Sequence, residues 1–141
     1  MARPDAGESA HMSDRPWMAR LRVVLTCACV VGWAAAFVAS HIPIERLPGI
    51  PTSDKTLHFF GYAGLTTLFW LALWSHGRPA KRRVLWCLAV LPVYGVFDEL
   101  TQELVGRYAS VIDWAFNVIG TVAATALLEG AARIRALRAS R

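Results

Sequence analysis

Cysteine is scarce in this chain and poorly placed for cross-linking. There are three, Cys27, Cys29 and Cys87, all inside apolar stretches, and the first two point in different directions on a helix. No disulfide framework and no zinc-ligand spacing is present, so all three read as small packing residues. Histidine is also sparse, with four in 141 residues and no two at ligand spacing. One histidine among several carboxylates suits a divalent ion, but the spacing alone predicts no metal site and no cofactor. No serine or cysteine has a credible base partner, which leaves water-using or direct-transfer chemistry as the only sensible form for an enzyme. Repeats and low-complexity runs are missing. The 15 basic residues outnumber the 10 acids, yet they sit in short separate clusters without interleaved aromatics, which excludes a nucleic-acid partner.

Apolar sequence, by contrast, is abundant at 55%, and mean hydropathy is positive. Four apolar segments stand out, at residues 21–39, 56–74, 84–97 and 111–128. At about 1.5 Å per residue, three of them reach roughly 27–29 Å, close to the hydrocarbon thickness of a bilayer. The third has 14 apolar residues before Asp98 and spans only if its acidic end lies within the outer part of the membrane. A soluble four-helix bundle would show polar stripes, and residues 21–39 have none. That same segment is longer than the 7–15 residues of a signal-peptide core, so an uncleaved first span is predicted. The expected fold is an all-α, four-helix transmembrane bundle. Residues 1–20 read as a disordered basic tail, 21–130 as the membrane domain and 131–141 as a second basic tail.

Charge predicts the orientation. Twelve of the 15 Lys and Arg precede or open the first span, follow the last or lie between spans two and three; only Arg46, Lys55 and Arg107 occupy the other two connections. The positive-inside rule then places both termini in the cytoplasm, with anionic lipid headgroups as the natural counterpart of the basic clusters. Pro43, Pro48 and Pro51 exclude a continuous helix between spans one and two, and Ser53 or Asp54 suits the cap of the second. Gly61 and Gly64 are expected to permit close helix approach, as is the Gly120/Ala124 face of span four. Pro92 frees a carbonyl within span three, so a kink near Gly95 is expected. Gly106 should end that helix, and Ser110-Val-Ile-Asp113 resembles a capping box for span four.

With this topology the polar residues of three segments meet at one end. Asp54, His58 and Tyr62 share a helix face, as do Tyr94, Asp98 and Gln102, and likewise Asp113 and Asn117. An ionisable group at the centre of a membrane helix costs roughly 2.5–3.5 kcal/mol on insertion scales. Such groups persist when they pair, line a wet cavity or do chemistry. The candidate catalytic residues are His58 as general base, oriented by Asp54 or Asp98, with Asp98 and Glu99 as its acidic partners and Glu99 as general acid. The candidate ligand-binding residues are Asp54, Lys55, Tyr62, Gln102, Arg107, Ser110, Asp113 and Asn117, with Arg107 and Lys55 expected to hold phosphate or carboxylate. A plainer reading makes Asp113 a helix cap, Asn117 an interhelical bond and the carboxylates an ion-pair network.

These residues form an ordered set: Asp54-Lys-x-x-His58-Phe, Tyr62, Tyr94-Gly-x-x-Asp98-Glu99-x-x-Gln102, Gly106-Arg107 and Ser110-x-x-Asp113-x-x-x-Asn117-x-x-Gly120. The set resembles the VanZ-like family over about residues 20–130. The resemblance implies a small bacterial membrane protein of about four spans, whose founding member is associated with teicoplanin resistance. It implies no particular reaction. The chain departs from the family where Val105-Gly-Arg replaces a usual proline, which bears on the turn geometry. Two functions follow as expectations. One is an envelope protein whose outward polar pocket binds the headgroup of a membrane lipid or lipid-linked cell-wall precursor. The other is an intramembrane enzyme acting on such a headgroup; a structural or partner-assembly role stands behind both.

Overall fold

The computed structural model describes residues 16–42 and 53–141. The segment carrying Pro43, Pro48 and Pro51 lies outside them, as do residues 1–15. Four helices follow one another with no strand among the described residues: α1 (Pro16–Ser40), α2 (Asp54–Ser75), α3 (Ala80–Gln102) and α4 (Val111–Ala139). A 3-10 turn, Glu103–Val105, extends α3. Each helix is long and apolar enough to cross a membrane. Their outward faces carry Val23, Val30, Phe60, Val93, Leu100 and Leu127, all exposed. An apolar exterior on every helix suits lipid as the surrounding solvent, because water would drive such faces together.

The helix boundaries have local causes. Gly77 and Gly106 adopt φ of 70° and 77°, a conformation that costs a side-chain-bearing residue more than glycine. At each, the next residue's N–H closes back five positions, Arg78 onto the Leu73 carbonyl and Arg107 onto Gln102, both at 3.1–3.2 Å. This six-to-one closure caps the orphan carbonyls of a helix end. Pro79, extended at ψ 154°, then opens α3, and Ser110 opens α4 by accepting the Asp113 N–H at 3.2 Å. Ser53 stands at the N-cap of α2 but makes no side-chain capping bond.

Two helices outrun the apolar segments. α1 begins at Pro16, so the last five residues of the stretch expected to be disordered are helical. α4 continues through the expected C-terminal tail to Ala139. Ala, Leu and Arg there are strong helix formers, and helix propensity does not stop where hydropathy does.

α2 is the central element, packing against each of the other three, whereas α1 and α4 do not touch. Tyr62, Leu65 and Leu91 form the buried core, with Trp33, Phe69 and Tyr94 around it. Trp33 ties α1 to α3 through Tyr94, ring centroids 4.7 Å apart. α2 and α4 come close at Gly120, where a Cβ would collide with the backbone carbonyl of Phe59. Gly95 admits Trp114, whose Cδ1 would lie 3.2 Å from an added Cβ. Gly61 and Gly64 serve no such purpose: a Cβ at either meets nothing within 4 Å. α3 runs as one helix through Pro92, whose own carbonyl accepts the Trp114 indole N–H at 3.0 Å.

Candidate ligand-binding site at one end of the bundle

The end of the bundle where α1 and α3 finish and α2 and α4 begin collects the polar side chains. His58 is at the centre. Its Nδ1 lies 3.0 Å from Asn117 Oδ1 and 3.6 Å from Glu99 Oε1, while Nε2 faces Asp54 Oδ1 at 3.8 Å. Asp54, His58 and Asp113 each offer a ligand atom within 4.8 Å of the others. Asp113 is half-buried and Asp54 exposed.

Asp98 organises a second group. It is only 3% exposed and accepts from the Ser40 hydroxyl at 2.8 Å, from the Gln102 amide at 3.4 Å and, at a long 3.5 Å, from the Tyr62 hydroxyl. His41 stands beside it, Nδ1 3.9 Å from Asp98 Oδ1 and Nε2 2.9 Å from the Thr101 hydroxyl. Asp98 therefore contacts Tyr62 and Gln102 as the shared faces predict, but of the two acids expected to orient His58 it is Asp54 that stands beside the ring, with Glu99 and Asn117.

Glu99 joins site to scaffold. Its Oε2 accepts the main-chain N–H of Ser110 at 2.9 Å. In a reciprocal capping box Asp113 would return to that N–H; Glu99 takes its place, and only the Ser110-to-Asp113 half of the box forms. The other oxygen, Oε1, has no hydrogen-bond partner, nor has Asn117 Nδ2, although both are buried. Buried atoms of this kind are uncommon and call for a partner.

The cations sit differently from the expectation. Arg107 donates to Asp54 Oδ1 at 3.1 Å and to the Ser40 carbonyl at 3.2 Å, so its guanidinium is already engaged. Lys55 is exposed and forms no ion pair among the described residues. Of the four carboxylates at this end (Asp54, Asp98, Glu99, Asp113), only Asp54 pairs with an arginine among the described residues.

A cavity of about 360 Å³ opens between α1, α2 and α3. Ala36, Leu57, Leu65 and Tyr94 line its apolar part; Asp54, His58, Asp98, Gln102 and Arg107 line its polar part. A second cavity of about 350 Å³ lies between α3 and α4, walled by Val96, Leu100, Val111 and Trp114, with Glu99 and Ser110 the polar groups in its wall.

Sequence reasoning passed over Ser40 and His41, because they end an apolar run and show no helical register to α3, and over Thr101, which lies on α3 beside the acids but is itself uncharged. It also passed over the opposite end of the bundle. There Arg83 holds Glu129 with two bonds of 2.8 Å, lies over the Trp70 ring at 4.9 Å, and Trp70 itself donates to Glu129 at 2.7 Å. A cation cluster followed by an acid 46 residues on was the only available signal. Compared with models of known protein families, with curated proteins and with solved structures, the chain matches none.

Proposed function

We propose that this chain is a VanZ-like protein of the bacterial cytoplasmic membrane, with both termini in the cytoplasm, that receives the headgroup of a membrane lipid or lipid-linked cell-wall precursor at its outward end. A role in glycopeptide susceptibility belongs to the same proposal. The ordered motifs from Asp54 to Gly120 support the family reading, and the twelve-to-three distribution of basic residues supports the orientation.

One observation carries the binding reading: the 360 Å³ cavity is lined by apolar side chains, Leu65 the farthest along α2 from Asp54, as well as by His58, Asp98 and Gln102. Leu65 lies eleven residues from Asp54 along α2, about 16 Å at 1.5 Å per residue. Hydrocarbon would lie against Leu65, Leu57 and Ala36, and the headgroup against His58, Asp98 and Gln102. Because the carboxylates outnumber the one engaged arginine, the contacted part of the headgroup offers donors such as hydroxyl or ammonium groups.

Gly61 gives the test. It lines the cavity and has open space at its Cβ, so Gly61→Phe fills the cavity without disturbing a helix contact. Native mass spectrometry of protein extracted from bacterial membranes should show lipid retained by the wild type and lost in Gly61→Phe, with Gly64→Ala unaffected. Equal lipid retention in Gly61→Phe sinks the reading.

A catalytic reading of the same pocket draws on the His58 imidazole, placed between Asp54 and Glu99. In it His58 removes a proton from water or a headgroup hydroxyl and Glu99 supplies one to the leaving group. It predicts that His58→Gln and Glu99→Gln keep the lipid but lose all turnover of it.

A further inference from the structure

We infer that Asp54, His58 and Asp113 form a binding site for a divalent transition-metal ion. The three ligand atoms already lie within 4.8 Å of one another, and His58 Nε2 is 3.8 Å from Asp54 Oδ1. Bonds of about 2.0–2.2 Å hold neighbouring ligands roughly 3–4 Å apart, so small rotations of the exposed Asp54 and half-buried Asp113 close the set. Asp54 keeps a second oxygen beyond the one paired with Arg107. The ligands come from the first turns of two helices, α2 and α4, whose spacing is fixed where Gly120 meets Phe59.

An independent observation points the same way. An imidazole that ligates through Nε2 carries its proton on Nδ1, and a polar partner there fixes the ring. Here Nδ1 faces Asn117 Oδ1 at 3.0 Å and the partnerless Glu99 Oε1 at 3.6 Å. Glu99 is 5% exposed, so this buried oxygen is aimed at the ring from the side opposite Asp54. A cation on Nε2 strengthens the Nδ1 donor and offsets an acid excess that Arg107 alone does not balance. One nitrogen and two carboxylate oxygens suit Mn²⁺ or Zn²⁺ better than Mg²⁺ or Ca²⁺, which prefer oxygen alone.

The test uses the metal alone, so it does not depend on what the neighbouring cavity holds. Full-length protein in detergent, stripped with a chelator, is titrated with Mn²⁺ and followed by electron paramagnetic resonance. The expected result is one ion per chain, with the coupling of a single imidazole nitrogen in the pulsed spectrum. Binding should weaken at least tenfold in His58→Gln and Asp113→Asn and stay unchanged in Glu103→Gln, an exposed acid near the same end. Asp113→Asn retains the main-chain N–H that Ser110 caps, so it keeps the fold and decides the matter if His58→Gln does not. Absence of stoichiometric binding, or equal binding in Asp113→Asn, overturns the site.

Discussion

The two ends of this bundle treat buried charge in opposite ways. Around Arg83, each oxygen of Glu129 has a guanidinium donor, and the arginine and the acid both contact Trp70. Around His58, Asp54 alone of the neighbouring acids pairs with Arg107, and Glu99 and Asn117 each leave a buried atom without a partner. The first cluster is complete within the protein and reads as a clamp between α2, α3 and α4. The second is incomplete, and incompleteness beside a cavity is what supports the proposal of a ligand there.

This contrast can be broken from either side. The largest effect is expected at the closed end: Glu129→Ala strands a mostly buried Arg83. Removing one partner of a fully buried pair costs about 3–5 kcal/mol, and the partial exposure here (11% and 18% for the two side chains) lowers that to about 2–3 kcal/mol. Denaturant unfolding in detergent micelles reads it directly; a loss below about 0.5 kcal/mol would mean that the clamp is ornamental. Glu99→Gln at the open end should move the other way, gaining about 1 kcal/mol. It removes a buried carboxylate with an unpartnered oxygen and keeps an oxygen for the Ser110 N–H. A Glu99→Gln protein that unfolds more easily than the wild type would place Glu99 with the clamp. The smallest effect belongs to Lys55→Ala, within about 0.5 kcal/mol and without consequence for lipid retention, because the ammonium is outside both clusters.

Much of this architecture was legible beforehand, and the reasons differ by feature. Hydropathy and length locate the four helices, since a spanning helix must satisfy its own backbone. Helical spacing brings Tyr62, Asp98 and Gln102 together because α2 and α3 each place one polar face toward the bundle interior. What escaped is pairing that local pattern does not encode. Glu129 sits near the end of an apolar run and resembles the start of a solvated tail until Arg83 is seen opposite. His41 follows the first span in sequence, where nothing signals its approach to Thr101. The Asp54–His58–Asp113 group has one histidine and spans 60 positions, so a search for paired histidines passes over it. Gly61 and Gly64 were misjudged for a related reason, whereas Gly120 does meet α2: small residues allow contact, and only the partner's position determines where contact occurs.

A carboxylate is planar and stiff, and in Glu99 the two oxygens answer to different masters. One is anchored to the amide that begins α4; the other looks toward the imidazole of α2. Any occupant that draws the free oxygen toward itself must rotate the whole group and so pull on the start of α4, 11 residues further along the chain. A turn of this one carboxylate would thus be felt at the backbone that opens the neighbouring helix, through a single side chain placed like a lever.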